Sequence, residues 1–150
     1  MLRGADGKLL PIEVQSGTGS FDPSLALNYS WTNFPYAFFA SATVIVPTVG
    51  VAGFRSSPSL RTSLTGQYEF LDGWVIRVSL DTRADLKAYE GALASRDSGG
   101  FVAYFSPDLM WQPVQDLVVM VGTRLPFVQA LAGYHREGVI LASTVAYDFN

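Results

Sequence analysis

The chain has no cysteine and a single histidine, His135, in 150 residues. The first absence excludes a disulfide framework and a Cys-based zinc site, and it suits an envelope protein that crosses an oxidising compartment. The second excludes a His-rich metal site, and no cofactor of any kind is expected. Charge is scarce, 15% of residues, and neither sign dominates: 10 Lys and Arg face 13 Asp and Glu, for a net charge of -3. Its basic residues are spread along the chain and leave no electrostatic footprint for nucleic acid, which is therefore not an expected partner. Long apolar runs are also missing. No window approaches 18 consecutive apolar residues, so membrane-spanning helices are excluded. The opening from Met1 to Lys8 does not read as an export signal. A secreted chain with this start has either lost its signal or is the C-terminal portion of a longer reading frame, and the second is the expectation adopted.

Apolar residues nevertheless make up 49% of the chain, and their spacing shows why no run is long. From Trp74 to Tyr89, the residues Trp74, Ile76, Val78, Leu80, Thr82, Ala84, Leu86 and Ala88 alternate with Val75, Arg77, Ser79, Asp81, Arg83, Asp85, Lys87 and Tyr89. A helix would pair Arg77 with Asp81 but would scatter the apolar set around its cylinder, so period two predicts a strand. Leu60 to Phe70 repeats the code, with Arg61, Ser63, Thr65, Gln67 and Glu69 on the polar face. Val139 to Phe149 alternates too, and less pure versions occupy Ser24 to Trp31, Tyr36 to Val46, Phe101 to Trp111 and Leu117 to Phe127. Seven strands are thus predicted. Leu9 to Val14 alternates as an eighth, but Pro11 removes a ladder donor and demotes it to an edge or loop, so residues 1–23 are read as an N-terminal loop or weak edge strand and 24–150 as the strand region.

Connections alternate in length. Thr32 to Pro35, Leu71 to Gly73 and Gln112 to Gln115 are short, whereas Pro47 to Ser59, Glu90 to Gly100 and Val128 to Gly138 are long. Up-and-down barrels of bacterial outer membranes have this asymmetry, with short periplasmic turns and longer extracellular loops. Aromatic placement adds a third pattern. Trp31, Tyr36, Phe70, Trp74, Trp111, Tyr147 and Phe149 fall on the apolar face at the short-turn end, as an interfacial girdle would; the bland alternative is a sandwich core. The predicted class is therefore all-β: an antiparallel up-and-down transmembrane β-barrel, with about seven or eight strands present.

Arg61, Glu69, Arg77, Asp81, Arg83, Asp85, Lys87, Asp108 and Arg124 are predicted to face inward, because charges in hydrocarbon are costly. They would either form a constriction that selects solutes or fill the barrel as a salt-bridge network, with the second reading slightly ahead. His135 lies in the long-loop segment from Gly133 to Gly138, where Asp97 or Glu137 could orient it, but no nucleophile with recognisable spacing completes a catalytic set. A solvated loop histidine is the reading preferred. Gly17 to Ser20 resembles a phosphate-cradling loop, yet no Lys follows and the next element is a strand, so a tight turn is expected.

Two segments resemble a known family. Gly17 to Ser30, GTGSFDPSLALNYS, is similar to a GSGS-x-D-P-x-L-G-L-x-Y pattern in the C-terminal half of an outer-membrane barrel family labelled putative transporters and grouped with aromatic-degradation pathways. Arg124-Leu-Pro-Phe-Val-Gln129, Gly133, and Val145 to Phe149 are similar to that family's R-x-P-(L/F/Y)-(Y/V)-Q, G and Y-x-F ending. This chain differs in carrying Asn150 after the terminal Phe149 and Ala26 where glycine is common. The resemblance implies a larger barrel of about twelve strands, location in a bacterial outer membrane, recognition of the C-terminal strand by barrel-assembly machinery, and passage of small solutes, hydrophobic or aromatic ones among them. No catalytic residues carry over.

Four expectations follow for function. The first is a passive channel or transporter barrel with a lipid bilayer and a small-molecule solute as its partners. The others are a plugged structural anchor, a surface enzyme dependent on His135, and a soluble β-sandwich or ligand-binding barrel with the apolar face in a core.

Overall fold

The computed structural model describes residues 19–50, 53–134 and 136–149. The weak edge strand expected at 9–14, Gly17 and Thr18 of the 17–20 turn, and His135 lie outside the described residues. The strands are β1 (Ser24–Asn33), β2 (Tyr36–Ile45), β3 (Phe54–Arg55), β4 (Ser59–Leu71), β5 (Trp74–Asp85), β6 (Tyr89–Glu90), β7 (Leu93–Ala94), β8 (Gly100–Val114), β9 (Leu117–Leu131) and β10 (Ile140–Tyr147). Seven of them form one antiparallel sheet in the order β1-β2-β4-β5-β8-β9-β10, and β3, β6 and β7 form a small second sheet. The all-β antiparallel class is as expected. No closed ring is present among the described residues, because β1 and β10 each have a strand on one side only. Parity gives the reason: seven strands alternating in direction leave β1 and β10 running the same way, and an antiparallel ring needs an even number.

Short turns set the register. Asp72 and Gly73 connect β4 to β5 with Gly73 at φ 72, a conformation that favours glycine. A side chain there would also meet a neighbour, since a Cβ on Gly73 would lie 2.6 Å from the Gln112 carbonyl oxygen. Gln112 in turn donates its N–H to the Gly73 carbonyl at 2.7 Å. Gly73→Ala is expected to strain both the turn and this bond and to lower stability by about 1–3 kcal/mol; chemical denaturation checks it.

Three irregularities interrupt the ladders, one of them between Trp111 and Val114 beside the β8–β9 turn. β4 shifts register between Glu69 and Leu71, so Leu71, not Phe70, stands opposite Trp74. β9 shifts where Tyr104 pairs with Pro126 and Ala103 with Val128, which leaves Phe127 unpaired. Pro126 is accommodated beside that irregularity, the place where a strand tolerates a missing N–H.

Register distributes the side chains onto two unlike faces. One carries Leu27, Tyr29, Leu64, Leu80, Phe105, Leu125, Val121 and Val145, all from alternating positions. All of these but the half-buried Leu125 are exposed: Leu27 at 69%, Leu64 at 48%, Leu80 at 44%. Buried residues are few among those described and sit mostly toward the other face: Val102, Tyr104, Ser59, Ser79 and Ser106, with Pro47, Ala88 and Ala103 besides. A soluble layered domain covers the apolar face of its sheet with a second layer. Among the described residues no second layer covers this one. No helix among them is long and apolar enough to cross a membrane, which says nothing of strands.

Candidate functional site

The polar face is built from the central strands. Period two places Arg77, Ser79, Asp81, Arg83 and Asp85 of β5 on one side, and the pairing aligns them with Gln67, Thr65, Ser63, Arg61 and Ser59 of β4. On the other flank they stand opposite Asp108, Ser106, Tyr104, Val102 and Gly100 of β8. Arg124 of β9 shares this face, one strand further on.

Four ion pairs among the described residues organise it. Arg77 meets Asp108 at 2.6 Å and also donates from Nε at 2.7 Å, with the carboxylate side chain only 11% exposed. The same guanidinium contacts the Met120 sulfur of β9 at 3.1 Å, reaching over β8. Arg124 reaches Asp81 at 3.3 Å, again over β8, and its guanidinium lies 5.1 Å from the centre of the Tyr104 ring. Asp81 also accepts from Ser106 at 3.3 Å. Arg83 donates to Glu137 at 2.8 Å, and its Nε lies 3.0 Å from Asp85 without the alignment of a hydrogen bond. Thr65 and Ser79 share a hydroxyl hydrogen bond of 2.8 Å between β4 and β5. Ser79 and Ser106 are buried within this network, whose arginine side chains pair with carboxylates and stay partly exposed.

Close packing accompanies the Arg77–Asp108 pair. Gly122 of β9 stands opposite Asp108, and a Cβ at that position would collide with the carboxylate. Gly122→Ala is expected to push Asp108 off Arg77 and cost about 1–3 kcal/mol, measured by unfolding.

Glu137 brings a loop onto the sheet. The segment between β9 and β10 is clamped by Gln129, which donates to the Glu137 carbonyl at 3.0 Å and accepts from the Glu137 N–H at 2.9 Å. Arg83 then holds the carboxylate of the same residue. Gln129→Ala removes both backbone bonds, so faster chymotryptic cleavage after the fully exposed Tyr134 is expected, by several-fold, as the loop opens locally.

No family model and no curated protein matches this chain.

Arg61, Arg77, Asp81, Arg83, Asp85, Asp108 and Arg124 therefore share one face, as their alternation predicts. Glu69 sits at the short-turn end, where its carboxylate accepts from the Gly73 N–H at 3.4 Å. Lys87 departs from the expectation: β5 ends at Asp85 and Lys87 is exposed in the segment beyond it. Its partner strand β8 begins only at Gly100, so no ladder continues past Asp85 on that side. Of the aromatics, Trp74 stacks on Trp111 at 5.3 Å and Tyr36 stacks on Tyr68 at 5.1 Å. Trp31 stands opposite Phe38 at the β1–β2 end, and Tyr147 meets Phe149 edge-on at 4.7 Å, although Phe149 follows the end of β10. Phe70 occupies the β4 bulge and so has no cross-strand partner in the β4–β5 ladder. Tyr68, Tyr104, Met120 and Glu137 were not predicted as members of either set. Tyr68, Tyr104 and Met120 had a signal in their alternation, Met120 being in phase with Arg124; Glu137 had none, because only the loop path brings it in.

Proposed function

We propose that this chain forms part of the wall of a bacterial outer-membrane β-barrel that passes small solutes, with its apolar face in lipid and its polar face lining the interior. One observation carries the reading: a whole sheet face of large apolar side chains is exposed, while the charged face is the one with its groups paired and partly buried. That arrangement inverts a water-soluble sheet and suits a lipid solvent. Stacked Trp74 and Trp111, with Trp31, Tyr36, Tyr68 and Tyr147 near the same short-turn edge, support it as an aromatic girdle. The resemblance of Gly17 to Ser30 and Arg124 to Phe149 to a transporter-labelled barrel family points the same way.

Unpaired backbone edges cost several kcal/mol per group in hydrocarbon, so under this reading further strands lie between β10 and β1. Parity makes their number odd. The C-terminal strand, ending near Phe149, is the segment proposed to meet the assembly machinery.

The test is whether the refolded chain needs detergent or lipid to give a β-rich circular-dichroism spectrum and heat-modifiable gel mobility, followed by single-channel recording of the lipid-inserted protein. Folding in plain buffer overturns the reading. A second reading, a plugged anchor, is favoured by the pairing of Arg77, Arg83 and Arg124. It predicts lipid insertion without conductance.

A further inference from the structure

Arg61 is the arginine of the polar sheet face that has no carboxylate partner among the described residues. Its neighbours are matched: Arg77 by Asp108 at 2.6 Å, Arg124 by Asp81 at 3.3 Å, and Arg83 by Asp85 at 3.0 Å and Glu137 at 2.8 Å. Register sharpens the contrast. Arg61 stands directly opposite Arg83 in the β4–β5 pair, and like charges in that position repel unless a negative group lies beside them. Two carboxylates are paired with Arg83, and among the described residues none is paired with Arg61. On its other side Arg61 is opposite Thr43 of β2, and Ser41 and Ser63 form the next cross-strand row. Ser41, Thr43, Arg61, Asp81, Arg83 and Arg124 contribute to the lining of one cleft of about 230 Å³.

We propose that this cleft binds a small monocarboxylate, gripped by the Arg61 guanidinium, with the hydroxyls of Ser41 and Thr43 as further donors. The planar fork of a guanidinium matches the two oxygens of a carboxylate and is already ordered for them. Valency follows from the charge balance. Arg83 and Arg124 also line the cleft but already have carboxylate partners, which leaves Arg61 as the cation without one, while Asp81, held by Arg124 and Ser106, repels a second negative charge. Acetate is therefore preferred over an inorganic phosphate dianion.

That the anion is a permeating solute rests on the channel reading above; that it binds does not. The full chain, labelled with nitrogen-15 and folded in detergent, or in buffer if it folds there, is titrated with sodium acetate at constant ionic strength while the arginine Nε–Hε resonances are followed. A saturable shift of the Arg61 resonance is expected. Arg61→Gln should weaken acetate binding about tenfold or more, read from the remaining arginine resonances, and Arg61→Lys should fall between, since it keeps the charge and loses the fork. Inorganic phosphate should bind more weakly than acetate. Absence of a saturable shift, or unchanged binding in Arg61→Gln, overturns the site even in a protein that inserts and conducts. Tighter binding of phosphate overturns the monocarboxylate assignment. Acetate binding at Arg61 in a chain that folds without detergent leaves the site standing and removes the channel.

Discussion

Arg77→Leu is expected to destabilise the protein by about 3–5 kcal/mol, the largest loss from any single change on the polar face. The substitution takes away both guanidinium contacts to Asp108, at 2.6 and 2.7 Å, and the contact to the Met120 sulfur. What remains is a carboxylate only 11% exposed, with no cation of its own and β9 backbone at Gly122 beside it. An uncompensated charge in that position costs more than the pair itself contributes, because desolvation is no longer offset. The prediction therefore has a second arm. Combining Arg77→Gln with Asp108→Asn removes both charges while keeping hydrogen-bonding groups, and it should recover most of the loss. Denaturant unfolding followed by tryptophan fluorescence measures all three proteins. A loss below about 1 kcal/mol for Arg77→Leu would mean that the pair is screened as a surface pair is, and that the polar face is open water.

The reach of the sequence can be judged from this same pair. Alternation put Arg77 and Asp108 on one face, since both fall in phase with their strands' polar positions. It could not say that they touch, because face follows from period while partnership follows from register. Register is fixed by turns and bulges. Asp72 and Gly73 made the β4–β5 turn legible, yet the bulge beside Phe70 left Trp74 opposite Leu71, and that slip has no signature in a list of apolar positions. The same holds at Phe127. Seven long strands were legible within a few residues of their ends; the two-residue strands β3, β6 and β7 were not, because two residues carry no period. Lys87 shows the opposite error. Leu86, Lys87 and Ala88 continue the alternation of β5, but a strand ends where its partners end, and Gly99 and Gly100, at φ 86 and 133, turn the chain just where β8 begins. Glu137 was invisible as a partner of Arg83 because a loop's path depends on contacts such as the Gln129 clamp.

Which solvent meets the apolar face is decided by a second substitution, Leu80→Arg. Leu80 lies midway along β5 between Leu64 of β4 and Phe105 of β8, on the apolar face and 44% exposed. If that face were wetted by water, an arginine there would be an ordinary surface residue and would change stability by no more than about 0.5 kcal/mol. In hydrocarbon, with the guanidinium far from either headgroup region, it costs about 2–4 kcal/mol. The comparison that isolates lipid from packing is Tyr68→Arg, nearer the short-turn edge where Tyr68 stacks on Tyr36. Its charge can reach the headgroups, so the electrostatic cost there falls to about 0–1 kcal/mol, with the lost stacking adding about 0.5–1.5 kcal/mol. Both variants are refolded into bilayers and their unfolding free energies compared with that of the parent. A steep cost at Leu80 and a shallow one at Tyr68 is the depth profile of a sheet crossing a membrane. Equal, small costs at both would place water against the apolar face and overturn the lipid reading.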